Sequence, residues 1–325
     1  MAEHTSQEKV LALGKETTRG TETSALIVAV PCSPDTDFEY NPTWEEDEKI
    51  RGVKERFDPT KTGMEGAGSI SGVPVEPETF GYFLHSLLGK DPNTTNPGTL
   101  AYEHTFVPDT GLEKQSYTFV YDRSVNKKGY LLTVLAGMSL SIPTAGKVVA
   151  DFEAIFKEEA ASALAIPAIT VPNPFSNVHA GIYIADYGAS KPGSPNGEIK
   201  EMTFDYSDGT LGKDTLNQSE LVQDVVSPNP PEISGSFVIH FTDTAQRDDF
   251  VAGTKKAIWI ELIGDEIETS YNYELEIILY RCIYKAYPYS DVDNILAAEV
   301  VFDAYYSVSD AKSLDIRLQN KVVSY

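Results

Sequence analysis

Gly129 to Glu158, GYLLTVLAGMSLSIPTAGKVVADFEAIFKE, is the stretch that most restricts what this chain can fold into. A turn of Pro143, Thr144, Ala145 and Gly146 divides it into two extended runs. In the second run Val148, Ala150, Phe152, Ala154 and Phe156 alternate with Val149, Asp151, Glu153, Ile155 and Lys157. Side chains of a strand leave alternate faces, so the pattern predicts a long hairpin with one face in a core and the other in water. Tyr273 to Ser307 repeats it, setting Leu296, Ala298, Val300, Phe302, Ala304 and Tyr306 against Ala297, Glu299, Val301, Asp303 and Tyr305. Two such hairpins, each closing one half of the chain, predict a duplicated β-domain.

The 325 residues suffice for two domains, each with its own core. The 18 Tyr and 14 Phe, with Val, Ile and Thr in short runs, favour strands over helices. A net charge of −23 argues against ordinary nucleic-acid binding, which needs clustered Lys and Arg to displace counterions. Cys32 and Cys282 sit in apolar, strand-like segments of opposite halves and are expected to be reduced, buried thiols. The polar N-terminus lacks a signal-peptide core, and no segment reaches the ~20 apolar residues of a membrane span. Synthesis and folding are therefore expected in a reducing cytoplasm.

Taken in order, the chain divides into an N-terminal arm (1–23), a first β-domain (24–159), a linker (160–176), a second β-domain (177–309) and a C-terminal arm or strand (310–325). Ser24 to Val30, Phe38 to Tyr40, Ser69 to Val75, Ala101 to Val107 and Ser116 to Tyr121 read as strands. Asn41 to Gly66 reads as a long polar loop, of a length uncommon in compact domains unless it has a task. Within it Trp44 calls for a partner surface, either another molecule or its own domain. Pro77 to Leu88 is the clearest helix: Phe80, Phe83, Leu84, Leu87 and Leu88 form one stripe, and Gly89 stops it. Ala160 to Phe175 holds three prolines and no charge, the composition of a semi-rigid linker.

The second half echoes this order. GIYIAD (Gly181 to Asp186) matches SALIVAV, MTFDY (Met202 to Tyr206) matches DFEY, and Ser207 to Pro231 is again a long polar loop. Ile233-Ser234-Gly235 repeats Ile70-Ser71-Gly72, Thr242 to Gly253 takes the place of the helix, and Ala257 to Ile263 stands where SYTFVY stood. The expected fold is mainly β: two tandem antiparallel β-sandwich or partial-barrel domains, each with one short flanking helix and a long polar loop.

No catalytic, cofactor or metal site is legible. His4, His85, His104, His179 and His240 form no HxH or HxxxH pair. His85 is expected at a partly exposed core edge, and His104 and His240 as satisfied strand histidines. Gly63, Gly66, Gly68 and Gly72 do not have GxGxxG spacing, and Gly212-Lys213 runs into Asp214 instead of a hydroxyl. No GxSxG elbow occurs. Asp291, Asp293 and Asn294 fit a calcium ligand set or, at lower cost, a hairpin turn.

The order LGKETTRGT (Leu13 to Thr21), GSISG (Gly68 to Gly72), PETFGYFLHSLLG (Pro77 to Gly89), AYEHTFVP (Ala101 to Pro108), SYTFVYDR (Ser116 to Arg123) and AGMSLSI (Ala136 to Ile142) resembles the major tail tube proteins of long-tailed bacteriophages. The resemblance implies a structural virion protein of the tail, assembled in the host cytoplasm, and no enzyme. Such β-domains join edge to edge into sixfold or pseudo-sixfold rings that stack into a hollow tube. The lumen holds a tape-measure protein and later passes DNA without specific binding, and tail terminator and distal tail proteins adjoin the ends. The usual unit is one domain; a duplicated chain would close a ring with three copies, the alternative being a hexamer.

On that reading the two long loops are expected to stack rings, through Trp44, Glu45, Glu46, Asp47, Lys49, Arg51, Lys54 and Arg56 and through Lys213, Asp214 and Glu220. Mixed charge suits a register-setting contact; a solvated loop is the plainer alternative. Duplex DNA carries one charge per ~1.7 Å, so a bore that lets it slide must not attract it. Asp151 and Glu153, with Glu299 and Asp303, are the expected acidic lumen residues, unless they merely face outer solvent. Rival readings are a carbohydrate- or surface-binding virion module using Tyr287, Tyr289, Tyr305 and Tyr306, a hydrolase with paired carboxylates, and a tube of a contractile tail or secretion device.

Overall fold

The computed structural model describes residues 8–47, 49, 52, 54–169, 173–216, 218–292 and 294–325. In the first half β1 (Val10–Lys15) runs between β2 (Val28–Val30) and a later strand, β7 (Tyr117–Asp122). The predicted hairpin is present as β8 (Lys127–Ile142) and β9 (Val149–Phe156). The first part of β8 pairs with β7 and with β10 (Glu158–Ala161), its second part with β9. Next to β9 lies β4 (Thr60–Pro74), and outside it β3 (Asp37–Glu45).

The second half is wired alike. Its long strand, β17 (Tyr271–Ala286), pairs through its first part with β16 (Lys256–Glu268) and β20 (Leu314–Asn320), and through its end with β19 (Ile295–Ala304). The short β18 (Tyr289–Val292) carries the lane of β17 further along β19. Beyond β19 come β15 (Glu232–His240) and then β12 (Ile199–Ser207), while β11 (Ala180–Asp186) flanks β16. Both long strands carry a bulge where they pass from one layer to the other, between Leu135 and Gly137 and between Tyr284 and Ala286. An extra residue bends a strand and sharpens its twist, which lets one strand serve two layers.

These layers face each other across aromatic side chains. Phe38 of β3 stacks on Tyr130 of β8 at 4.5 Å and lies 5.8 Å from Tyr121 of β7. On β9 Val148 to Phe156 is buried at every second residue, as the alternation requires. The strands form a large antiparallel sheet that bends into this sandwich without closing into a barrel. One helix follows each of β4 and β15: α1 (Phe80–Leu88) and α2 (Ala245–Ala252). The stripe of α1 is wholly buried, and Gly89, at φ 80°, ends it by donating its N–H to His85 O. In α2 no residue is buried, though Phe250 packs its ring on Tyr287.

The halves are joined by hydrogen-bonded strands. The outer edge of β8 pairs with β12 from Ile142↔Met202 to Gly137↔Ser207. One sheet therefore runs β3-β4-β9-β8-β12-β15-β19-β17 through the whole chain. The short strands β5 (Asn93–Thr95) and β6 (Tyr102–Phe106) belong to the first half in sequence, yet β6 pairs with β20.

Several expectations need correction. Asn41 to Gly66 is no irregular loop: β3 and β4 pair as far as Glu45↔Thr60, forming a hairpin whose strands connect through 46–59. Ser207 to Pro231 contains a small hairpin of β13 (Leu211–Lys213) and β14 (Asp224–Val226). Within the supposed N-terminal arm, Leu11, Ala12 and Leu13 of β1 are fully buried. The C-terminal stretch supplies β20, and Tyr325 packs edge-on against Tyr82 and His104. His85 is fully buried, its Nδ1 2.9 Å from Tyr117 Oη, because α1 is covered on that side too. The repeated Ile-Ser-Gly triplets are not equivalent: Gly235 faces Phe204 in mid-strand as Gly68 faces Phe38, whereas Gly72 sits in a bulge at φ 64°.

Candidate functional site

The sheet that crosses both halves has one face in the core and one outside, and the outside face is acidic. Asp151 on β9 is opposite Ser139 on β8, which is opposite Asp205 on β12, then Ser234 on β15 and Asp303 on β19. A parallel row runs Ser69, Glu153, Gly137, Ser207, Glu232. Glu201, Val238 and Glu299 make a shorter third row. Strands lie about 4.8 Å apart, so carboxylates on alternate strands are about 10 Å apart, near one Debye length in physiological salt. Serines between them keep mutual repulsion small while the face stays negative.

All four expected lumen residues lie on this face. Asp151 and Glu153 are exposed; Glu299 and Asp303 are half-buried. Asp151 accepts the Gly72 N–H at 2.6 Å, which ties it to the bulge in β4. Asp303 lies 3.4 Å from Lys285 Nζ and accepts the Tyr305 hydroxyl. Asp205 and Glu232 belong to the same set, and nothing local in the sequence marks them, because their place depends on the pairing of β12 with β8.

The expected stacking residues form a second cluster at the end of the hairpin arm. Trp44 is opposite Lys61 on paired strands and is 54% exposed, so its indole is not folded back into a core. Glu45 closes the pairing, and exposed Glu46, Lys49, Lys54 and Arg56 and half-buried Asp47 follow in the turn; Arg51 lies outside the described residues. In the second half Lys213 ends β13 with Asp214 after it, both exposed. Glu220 links the two loops: its carboxylate is 2.5 Å from Lys61 Nζ and its backbone oxygen accepts the Met64 N–H at 2.9 Å.

Buried and half-buried charges hold these loops in place, and no local sequence pattern marks them. Arg19 reaches Asp224 at 2.7 Å and donates to the Lys114 and Val225 carbonyls. Lys114 forms an ion pair with Asp208 at the root of the second loop; burial pulls its ammonium below the usual lysine range although Asp208 opposes this. Glu16, 3% exposed, accepts from Gly20 N, Ser116 Oγ, Thr118 Oγ1 and Leu132 N, joining β1, β7 and β8. Glu16 and Arg19 both fall in LGKETTRGT, so the motif carries its charges for structural bonds.

The family model for phage tail tube protein matches residues 6–304. The chain belongs to that family. A comparison with curated proteins finds no match. Membership makes the chain a structural tail tube component of the virion. Among the described residues no three His, Cys, Asp or Glu side chains are grouped to hold a metal ion. No helix among them is long and apolar enough to cross a membrane. Asp293 of the possible calcium set lies outside the described residues; Asn294 takes φ 62° in the turn between β18 and β19. The four tyrosines of the carbohydrate reading split between opposite ends of β19, Tyr287 and Tyr289 near its start and Tyr305 and Tyr306 past its end. They form no single platform for a sugar ring.

Proposed function

We propose that this tail tube chain polymerises as stacked rings, three copies to a ring, and that the acidic sheet face lines the bore through which the genome passes. The observation that carries the reading is the seam between β8 and β12. It joins the two halves side by side through unlike edges, and a contact between unlike edges repeats until it closes a ring or opens into a filament. With two repeats per chain, pseudo-sixfold closure takes three copies; a ring of six chains is the alternative. A negative bore fits the task, since DNA held by counterion release would stall. The hairpin arm around Trp44 and the loop around Glu220 serve as the contacts between rings. A tape-measure protein in the lumen, and terminator and distal tail proteins at the ends, are the partners proposed on this reading. A surrounding sheath, as in a contractile tail, is compatible with the same subunit.

Negative-stain microscopy of the concentrated protein, with a mass measurement on isolated rings, tests this directly. Tubes and a three-copy mass are expected. A preparation that stays monodisperse and monomeric at high concentration defeats the reading and favours a binding module.

A further inference from the structure

The seam inside the chain leaves a matching pair of edges unused at its two ends. Among the described residues β3 is paired along one edge only, by β4. The lane formed by the end of β17 and by β18 is likewise paired along one edge only, by β19. In the repeat β3 corresponds to β12 and this lane corresponds to the second part of β8, the two partners of the internal seam. A free edge is a template for another strand. On β3 the Phe38 N–H is accepted by Asp37 Oδ1 at 2.9 Å and its C=O accepts from Arg123 at 3.3 Å, side-chain bonds that strand pairing would replace.

The repeat also fixes the register. Phe38 faces Gly68 as Phe204 faces Gly235, and the bulge before Gly137 matches the bulge before Ala286. The match holds further along, since Tyr289 faces Ala298 as Leu140 faces Ala150. Inside the chain Phe204 is opposite Leu140, Tyr206 opposite Met138, and Ser207 opposite Gly137. We propose that β3 of one copy pairs antiparallel with the β17–β18 lane of the next, with Phe38 opposite Tyr289, Tyr40 opposite Tyr287 and Asn41 opposite Ala286. This rests on the ring reading above and names its seam.

Side chains and prolines both fit. In the internal seam Met138, Leu140, Phe204 and Tyr206 are at most 3% exposed. At the free edges Tyr289 is 51% exposed, and Tyr40 and Tyr287 are half-buried, so closure covers aromatic surface that the lone subunit leaves wet. A strand residue sends its N–H and C=O to the same side in antiparallel pairing. Pro288 accepts the Glu299 N–H, so its missing donor lies on the β19 side and costs the free edge nothing. Met64 donates to Glu220 instead of to Pro42 opposite it, so Pro42 turns its ring to the free edge. Internally the Asp208 N–H bonds Ala136 O at 3.3 Å at the corresponding place. The seam between copies therefore ends at Asn41, one hydrogen bond shorter than the seam within.

Cysteine pairing tests the register. Asn41 and Ala286 fall at a non-hydrogen-bonded pair, where Cα atoms lie about 4.5 Å apart, within disulfide reach. Assembled N41C/A286C protein under mild oxidation should give covalent species ending at three copies on non-reducing gels. The single variants, and the two-residue slip pair E39C/A286C, should give none. Tubes that form without the N41C–A286C link, or with the slip pair linked instead, overturn the seam and leave the tube intact. Covalent chains running past three copies keep the seam and overturn threefold closure; wild-type protein that makes no rings overturns the tube reading itself. Y289D supplies a second readout. It should stay folded by circular dichroism, giving up only ring contacts with Phe241 and Tyr287, and lose assembly; tubes of normal length from it also overturn the seam.

Discussion

Lys114 and Asp208 meet where solvent does not reach, their side chains 4% and 5% exposed, one just before β7 and the other at the root of the loop that follows β12. The pair pins a loop of the second half onto the first half. Removing one member of a buried pair leaves a lone charge in a poor solvent. We expect Lys114→Met to cost about 3–5 kcal/mol of stability, read as a fall in urea midpoint, and K114M/D208N to recover much of it.

His85 makes stability depend on mild acid. Burial first, and then Lys15, pull its pKa down to about 4, against the upward pull of Asp91. The unfolded chain therefore takes up a proton between pH 6.5 and about 4 that the folded chain refuses. Stability from this group is complete above that window and is lost as pH falls through it, by about 3 kcal/mol at full effect. Urea midpoints measured at several pH values across the window should show a smaller acid loss in His85→Asn, which keeps a polar atom near Tyr117 Oη.

Gly68 allows β3 and β4 to close around an aromatic ring. A Cβ there would stand 2.6 Å from Phe38 Cδ1, and Phe38 is held by its stack on Tyr130. Gly68→Ala should lose about 1–3 kcal/mol by crowding. Gly197→Ala, with nothing within 4 Å of the added carbon, should melt within error of wild type.

The arm should matter for stacking and little for folding. Deleting 46–59 and bridging Glu45 to Thr60 with a tight turn removes only residues beyond the last strand pair. A folded protein by circular dichroism that yields single rings, or none, is expected in the electron microscope. Tubes of normal length would remove the arm from the stacking contact.

Placement of the acidic face can be read by reagent size. Asp205→Cys should react with both a small maleimide and one carrying a large polymer while the protein is monomeric. Once tubes have formed, only the small reagent should still label along their length. Equal labelling by both would put the face on the outside.

The alternating run from Val148 to Phe156 was readable because one face of β9 is core and the other is water. The stripe of α1 was readable for the same reason, one covered side and a Gly stop. From Asn41 to Glu45 the arm is exposed on both faces, so its strands leave no periodic trace, and backbone pairing alone defines them. Leu11 to Leu13 fails in the opposite way: β1 is covered on both faces, and three apolar residues in a row have no period. Asp151 and Glu299 could be picked singly, but their common face with Asp205 and Glu232 depends on the β8–β12 seam. That pairing joins residues 60 to 70 positions apart, from Ile142↔Met202 to Gly137↔Ser207, and has no local signature.

The β8–β12 seam also changes how a ring has to be built. If each chain brings one junction already made, three encounters close a pseudo-sixfold ring, and half of its junctions can never come apart into dilute solution. A covalent link of this kind replaces a search through bulk with a fixed local concentration, of millimolar order for a short connection. The onset of polymerisation should then depend on a lower power of protein concentration than for an unlinked six-chain ring. The permanent junction also frees the two halves to diverge, one ending in a long charged hairpin and the other in a small docked one, so that two kinds of contact alternate around every ring.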